Sequence, residues 1–190
     1  LYDRGLSRSE LVPIAAEGEA VVSGDAHDDN VAPALLGGFT IASHSGVTRV
    51  DADISLVVCL PDIVISTRDA REVVPEQATI EQFVETVGNA ATLVAGMCRD
   101  DPNLVGAGMQ NSVGTPTRAG LIEGYNGVCE AALAAGATGV TISGAGPGVL
   151  AVCRESERRT VASAMLDGFE EHGLDARAYQ SRVGAGAQIL

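Results

Sequence analysis

The run from Ala131 to Val152 carries no charged residue and is long enough to cross a bilayer as a helix. Glycines and Pro147 interrupt it, and its apolar period changes midway. It reads instead as a helix end, a strand over Gly139–Ser143, a glycine loop over Gly144–Gly148 and a second strand over Val149–Arg154. No membrane span is expected, and a strand–loop–strand unit becomes the fixed point for reading the rest.

Upstream, Ser7-Arg-Ser-Glu10 fits a capping box before apolar residues at helical spacing, so a helix is expected to about Val22. A polar loop over Asp25–Asn30 follows. Gly37–Ser43 and Val47–Val50 read as strands joined by His44-Ser-Gly, and Ile54–Leu60 as a central strand ended by Pro61. Helices are expected over Thr67–Val74, Thr79–Met97, Pro102–Gln110 and Thr117–Ala135. After the glycine loop come a helix over Glu155–His172, a strand over Asp175–Gln180 and a short strand over Gly186–Leu190. Strands interleaved with helices in this way give α+β, an antiparallel sheet with helices on one face.

Hydrophobic residues make up 46% of the 190, enough for a sizeable core, but aromatics only 3%. That core must be mostly Val, Leu, Ile and Ala. The formal charge is −13, and the basic residues are all arginine. Nucleic-acid binding needs a basic face, and no basic cluster beyond Arg158–Arg159 is present, so none is expected. A lysine-free acidic surface points to a protein working in high salt, where carboxylates keep hydration and ions screen their repulsion. Cys59, Cys98, Cys129 and Cys153 are widely spaced in apolar runs and read as buried small hydrophobes rather than a zinc site or redox pair. The first residue is Leu1, and a helical pattern follows within a few residues, which reads as a piece of a longer chain. The cytoplasm is the expected location.

Three segments can carry chemistry. In His27-Asp-Asp-Asn30-Val-Ala-Pro33-Ala-Leu-Leu-Gly37-Gly38, polar groups gather in a presumed loop, Pro33 stiffens the exit, and paired glycines let backbone approach something closely. A capped turn before a strand accounts for it equally well. In Ser66-Thr67-Arg68-Asp69-Ala70-Arg71, a hydroxyl pair opens a helix and Arg71 lies one turn on, a spacing that can grip a small anion. The plain alternative is an N-cap with an arginine paired to Asp69 or Glu72. In Ser143-Gly144-Ala145-Gly146-Pro147-Gly148, backbone N–H groups between two strands can converge on an anion, although tight strand connections use glycine too.

Together these segments resemble the homoserine-kinase branch of the GHMP kinases. His27, Asp29, Asn30, Val31, Ala32, Pro33, Gly37 and Gly38 match its HxDNVAPxxxGG signature; Thr67 and Arg71 match its ST..AR; Ser143, Gly144 and Gly146 match the SGxGP of the third GHMP motif. Gly148 departs from relatives that carry Thr or Ser there, and the first GHMP motif, a Gly-Leu-Gly-Ser-Ser-Ala loop for the ATP phosphates, does not occur in these residues.

The resemblance implies a GHMP-kinase-like fold with a ferredoxin-like C-terminal domain over 51–190, and a remnant of the N-terminal kinase domain over 1–50. It implies phosphoryl transfer from ATP to the side-chain hydroxyl of L-homoserine, with Mg²⁺ held through Glu19. Arg71 and Arg118 would take the substrate carboxylate, Asn30 and Thr67 would orient the hydroxyl, and Ser143, Gly144 and Gly146 would support the nucleotide phosphates. Asn30, the catalytic position, cannot be a base because an amide is not usefully basic. With no lysine in the chain, an Asp–Lys pair cannot be completed either. Glu19 and Arg118 have plain readings too, as a solvated helical acid and a surface arginine. A homodimer is a further expectation. The competing functions are a GHMP kinase for another alcohol, and a non-catalytic ferredoxin-like binding or oligomerisation module.

Overall fold

A computed structural model describes residues 5–23, 27–110 and 113–188, with the side chains of Val22, Ser23 and Thr67 outside that description. The chain divides into two compact units, residues 1–52 with 183–190, and residues 53–182.

The first unit holds α1 (Arg8–Ser23), α2 (Asp28–Leu36), β1 (Phe39–Ser43) and β2 (Gly46–Val50). The capping box forms as expected: the Ser7 N–H donates to Glu10 Oε2 at 2.8 Å and the Glu10 N–H to Ser7 Oγ at 3.3 Å. The polar loop does not extend to Asn30. Asp28, Asp29 and Asn30 instead form the first turn of α2, where acidic residues complement the helix dipole, and Pro33 lies inside the helix. The proline removes one backbone donor, and complete burial of Ala32 helps hold the helix against that loss. Strands β1 and β2 form an antiparallel hairpin turned at His44–Ser45.

The paired glycines are explained by the chain itself. At Gly37, φ is +67°, and a Cβ would lie 2.2 Å from the carbonyl carbon of Ala185. The Gly38 N–H donates to the Gly184 carbonyl at 2.8 Å, and the Ala187 N–H to the Ala34 carbonyl at 2.9 Å. What approaches closely is the C-terminal run. The strand expected over Gly186–Leu190 is irregular through Gln188, and Ile189 and Leu190 lie outside the described residues.

The second unit holds β3 (Ser55–Pro61), α3 (Thr67–Glu72), α4 (Ile80–Met97), α5 (Pro102–Gly108), α6 (Gly114–Ala119), α7 (Tyr125–Ala134), β4 (Ala137–Ile142), β5 (Val149–Cys153), α8 (Arg158–Glu170) and β6 (Ala176–Arg182). The sheet order is β4-β5-β3-β6 with every pair antiparallel. That order, with a helical excursion between β3 and β4 and α8 between β5 and β6, is the ferredoxin-like arrangement. Val57 and Cys59 on β3, Val149 and Ala151 on β5, Val128 on α7, and Met165 and Phe169 on α8 bury together as one core. Burial pushes the Cys59 thiol up to about 11. Cys153 is also buried, but Cys98, which caps α4, is exposed, against expectation.

The helix expected over Thr117–Ala135 is broken into α6 and α7. Gly124 between them has φ +77°, and the His172 ring fills the space a Cβ there would need, 2.8 Å away. The helix expected over Glu155–His172 begins with a 3₁₀ turn at Glu155–Glu157 before α8.

Candidate functional site

Glu19 sits on α1 and its carboxylate turns to the start of α2. The His27 N–H donates to Glu19 Oε2 at 3.2 Å, and His27 Nδ1 lies 3.5 Å from Oε1. This distinguishes Glu19 from its neighbours. Glu10 is bound into the capping box, and the Ser7 hydroxyl holds its carboxyl below the usual range, while Glu17 is exposed. Asn30 lies one turn into α2, its N–H donating to the His27 carbonyl at 3.1 Å and its side chain exposed. His27, Asp28, Asp29, Ser43 and His44 line an open cleft of about 780 Å³ in this unit. His27 stands in the HxDNVAP run, but its residue type and position there imply no role of its own. Its partner is eight residues back, beyond the reach of helical periodicity, and only the joint between α1 and α2 brings them together.

Among the described residues no three His, Cys, Asp or Glu side chains converge as a metal cage. A single hard carboxylate such as Glu19 suits Mg²⁺, which takes one or two carboxylates and completes its shell with phosphates and water.

In the second unit, Ser66 caps α3, its hydroxyl accepting from the Asp69 N–H at 3.0 Å. Thr67 opens the helix; its side chain lies outside the described residues. Arg71 is exposed in the last turn, and the Glu72 carboxylate is taken by Arg68 at 2.8 Å. Arg118 on α6 is half-buried rather than a free surface side chain. Its Nε donates to the carbonyl of buried Ala70 at 2.9 Å, so it braces α3 one residue before Arg71. Arg118 and Gly144 line the same cleft, about 330 Å³, with Thr86, Ala90 and Thr141.

The glycine loop closes on itself. The Ser143 N–H donates to the Gly148 carbonyl at 2.7 Å and the Gly146 N–H to the Ser143 carbonyl at 3.0 Å. Those two amides are therefore committed within the loop. Gly144 (φ +60°) and Ala145 have amides with no partner among the described residues, so Gly144 is the expected position that keeps a free donor. Of the expected residues, Glu19 meets His27 at the entry to α2, the helix that carries Asn30, and the second unit gathers Arg118, Gly144 and the end of α3.

Residues 93–171 match the family described as GHMP kinases C terminal. The chain carries a GHMP-kinase C-terminal domain. Over its whole length this chain is 71% identical to the homoserine kinase of Haloarcula marismortui, and it is 35% identical over 97% of its length to that of Pyrococcus abyssi. It spans 65% and 63% of those relatives' lengths. The crystal structure of homoserine kinase from Cytophaga hutchinsonii superposes with a TM-score of 0.90 at 36% identity, over 97% of this chain and 60% of that one. Lactococcus lactis galactokinase, at 16% identity and a TM-score of 0.67, shares the fold.

Proposed function

We propose that this chain is part of a kinase that transfers the γ-phosphoryl group of ATP to the side-chain hydroxyl of L-homoserine, giving O-phospho-L-homoserine for threonine biosynthesis. The observation that carries the reading is the 71% identity, over all 190 residues, to a homoserine kinase. The DNVAP run, Thr67, Arg71 and Arg118 favour this alcohol over another, and catalytic relatives favour an enzyme over a binding module. The domain assignment belongs to the same proposal: 1–50 as a remnant of the N-terminal kinase domain and 51–190 as the C-terminal one. So do a cytoplasmic, high-salt setting and a homodimer. Among the described residues no helix is long and apolar enough to cross a membrane.

Phosphoryl transfer depends on alignment and charge neutralisation more than on covalent help from protein. Mg²⁺, when bound, would neutralise charge on the phosphates, with Glu19 as its protein ligand. Arg71 and Arg118 would bind the substrate carboxylate through planar guanidinium groups, which match carboxylate bidentately. The bond of Arg118 Nε to Ala70 fixes that side chain, and among the described residues no hydrogen bond or ion pair takes its Nη atoms, which would meet the ligand. Asn30 and Thr67 would orient the hydroxyl. The Gly144 amide would support the phosphates, with Ser143 and Gly146 shaping the loop. The substrate oxygen forms the new bond to phosphorus, the bond to the bridging oxygen of ADP breaks, and the hydroxyl proton leaves without a dedicated protein base.

The deciding experiment is ADP release by the full-length protein with homoserine, mevalonate or galactose in molar KCl. Turnover confined to homoserine is expected; preference for another alcohol would overturn the substrate assignment.

A further inference from the structure

The second unit has a cavity of about 560 Å³ that the proposed reaction does not use, within the size range of small-molecule sites. Its walls come from the end of α5, from α6 and α7, and from β4. It adjoins the cleft that holds Arg118, and Thr115 and Thr141 line both.

The chemistry of this cavity differs from that of the clefts described above. Arg118 lines one of those and Asp28 and Asp29 line the other, whereas among the described residues no charged side chain lines this one. Burial pushes up the Tyr125 hydroxyl and the Cys129 thiol in its wall, so both stay neutral. A charged guest would lose hydration here and find no opposite charge. Nucleotides and the homoserine zwitterion are poorly matched for that reason.

What the walls offer is neutral hydrogen bonding beside apolar surface. Gln110 and Asn126 carry carboxamides, each with a donor and an acceptor side by side. Because β4 is an edge strand, no strand takes the outer backbone groups beside Val140 and Thr141. Leu133 is 49% exposed and supplies apolar wall. The sulfurs of Met109 and Cys129 suit the edge of an aromatic ring.

We propose that this cavity binds an uncharged ring compound bearing a carboxamide, and that its occupation acts on the Arg118 cleft through α6. The ring lies on the apolar wall, and the carboxamide pairs with a side-chain amide or with the β4 edge, amide to amide. The coupling has a short route. Pro116 and Ala119, in the cavity wall, lie either side of Arg118 on α6. Thr115 Oγ1 lies 3.2 Å from Thr141 Oγ1, a hydrogen bond that ties the start of α6 to β4 in the wall common to cavity and cleft. A guest that bears on this wall displaces the helix that sets the guanidinium group. The coupling rests on the homoserine reading of Arg118; the binding does not.

Amide NMR shifts of the full-length protein in molar KCl test the site with benzamide and with benzoate, its anionic counterpart of the same shape. Benzamide should shift Leu133 and Val140 saturably, and benzoate at equal concentration should not. Excess homoserine and ADP should leave the benzamide shifts in place. Gly120→Phe should weaken binding at least about fivefold with no loss of melting temperature. Gly120 lines the cavity with φ −66°, and a Cβ there meets nothing within 4 Å, so the ring enters open space without backbone strain. Leu133→Asp, at a half-exposed position that tolerates a polar group, should weaken binding too. In the kinase assay benzamide should raise the homoserine KM at least about twofold, with the KM for ATP unchanged, and Leu133→Asp should blunt that rise. No saturable shift up to the solubility of benzamide, an equal response to benzoate, displacement by ADP or homoserine, or binding that survives both variants would overturn the site. Binding that leaves the homoserine KM unchanged would overturn the coupling. Should another alcohol prove to be the substrate, the benzamide shifts are unaffected, so failure of the homoserine reading and failure of the site are told apart.

Discussion

Arg118 Nε donates to the Ala70 carbonyl at 2.9 Å, so the guanidinium group expected at the substrate carboxylate also braces the helix that carries Arg71. The structural duty and the proposed binding duty of this side chain can be separated by experiment.

Arg118→Lys keeps the charge but removes the planar fork, and an ammonium cannot hold Ala70 and a carboxylate with the same geometry. The homoserine KM should rise about ten- to a hundredfold, with little change in the KM for ATP. Stability should fall by about 1 kcal/mol, the net worth of one hydrogen bond. Arg71→Lys should raise the homoserine KM with a smaller effect on stability. Steady-state kinetics with each substrate varied, beside urea unfolding, reads both; a homoserine KM within about twofold of wild type would remove the carboxylate role.

Gly37→Ala should cost more than about 2 kcal/mol. It places a Cβ in the left-handed region at φ +67°, and it drives that Cβ into the backbone of Ala185 and Gly186, which cannot swing aside as a side chain can. Denaturant unfolding measures this, and a loss below about 0.5 kcal/mol would mean that the C-terminal run is not seated there.

Gly148 is the opposite case. A Cβ there would meet Ser143 Cβ at 3.5 Å, Leu60 Cδ1 at 3.9 Å and Val58 Cγ1 at 3.9 Å, all ordinary contacts. Gly148→Ser should therefore stay within about 1 kcal/mol of wild type, restoring the hydroxyl that many relatives of the family carry. The melting temperature and kcat of this variant are the readouts, and a collapse of stability would show the loop to be tighter than its contacts imply.

Glu155 accepts from Ser55 Oγ at 2.6 Å and pairs with Arg158 at 2.7 Å, and the Ser55 hydroxyl is the main cause holding its carboxyl below the ordinary range. A carboxyl depressed on folding contributes stability above its unfolded pKa and loses it as pH falls through the folded one. Wild-type stability should therefore drop across the acid range below the usual carboxylate pKa, and Glu155→Gln should flatten part of that drop by lowering the neutral-pH melt, with little change at strongly acid pH. Melts between neutral and strongly acid pH compare the two; parallel curves would sink the assignment.

With a formal charge of −13 and no lysine, the chain should melt higher in molar KCl than in dilute buffer, because screening relieves self-repulsion. An unchanged or lower melting temperature in high salt would count against the high-salt reading.

Most of the architecture was legible wherever the code is local. The Ser7/Glu10 capping box, the apolar strands and the glycine loop between β4 and β5 each depend on neighbours within a few residues, and each formed. The family motifs were legible for the same reason, as short runs of residue types. What only the tertiary structure decided involves partners far apart in sequence. Pro33 and three polar residues spoke for a loop, yet the segment is helical, with Ala32 fully buried. The break between α6 and α7 is matched to the ring of His172, nearly fifty residues past Gly124. Gly37 and Gly38 showed that some backbone comes close, but that the visitor is Ala185–Gly186 could not be read from them. Glu19 differs from Glu10 and Glu17 only through His27, and Arg118 from a surface arginine only through Ala70. Sequence fixes what each short segment can do, since propensity and capping act over one or two turns; which of several allowed states is taken depends on burial and hydrogen bonds with residues that folding brings from a distance.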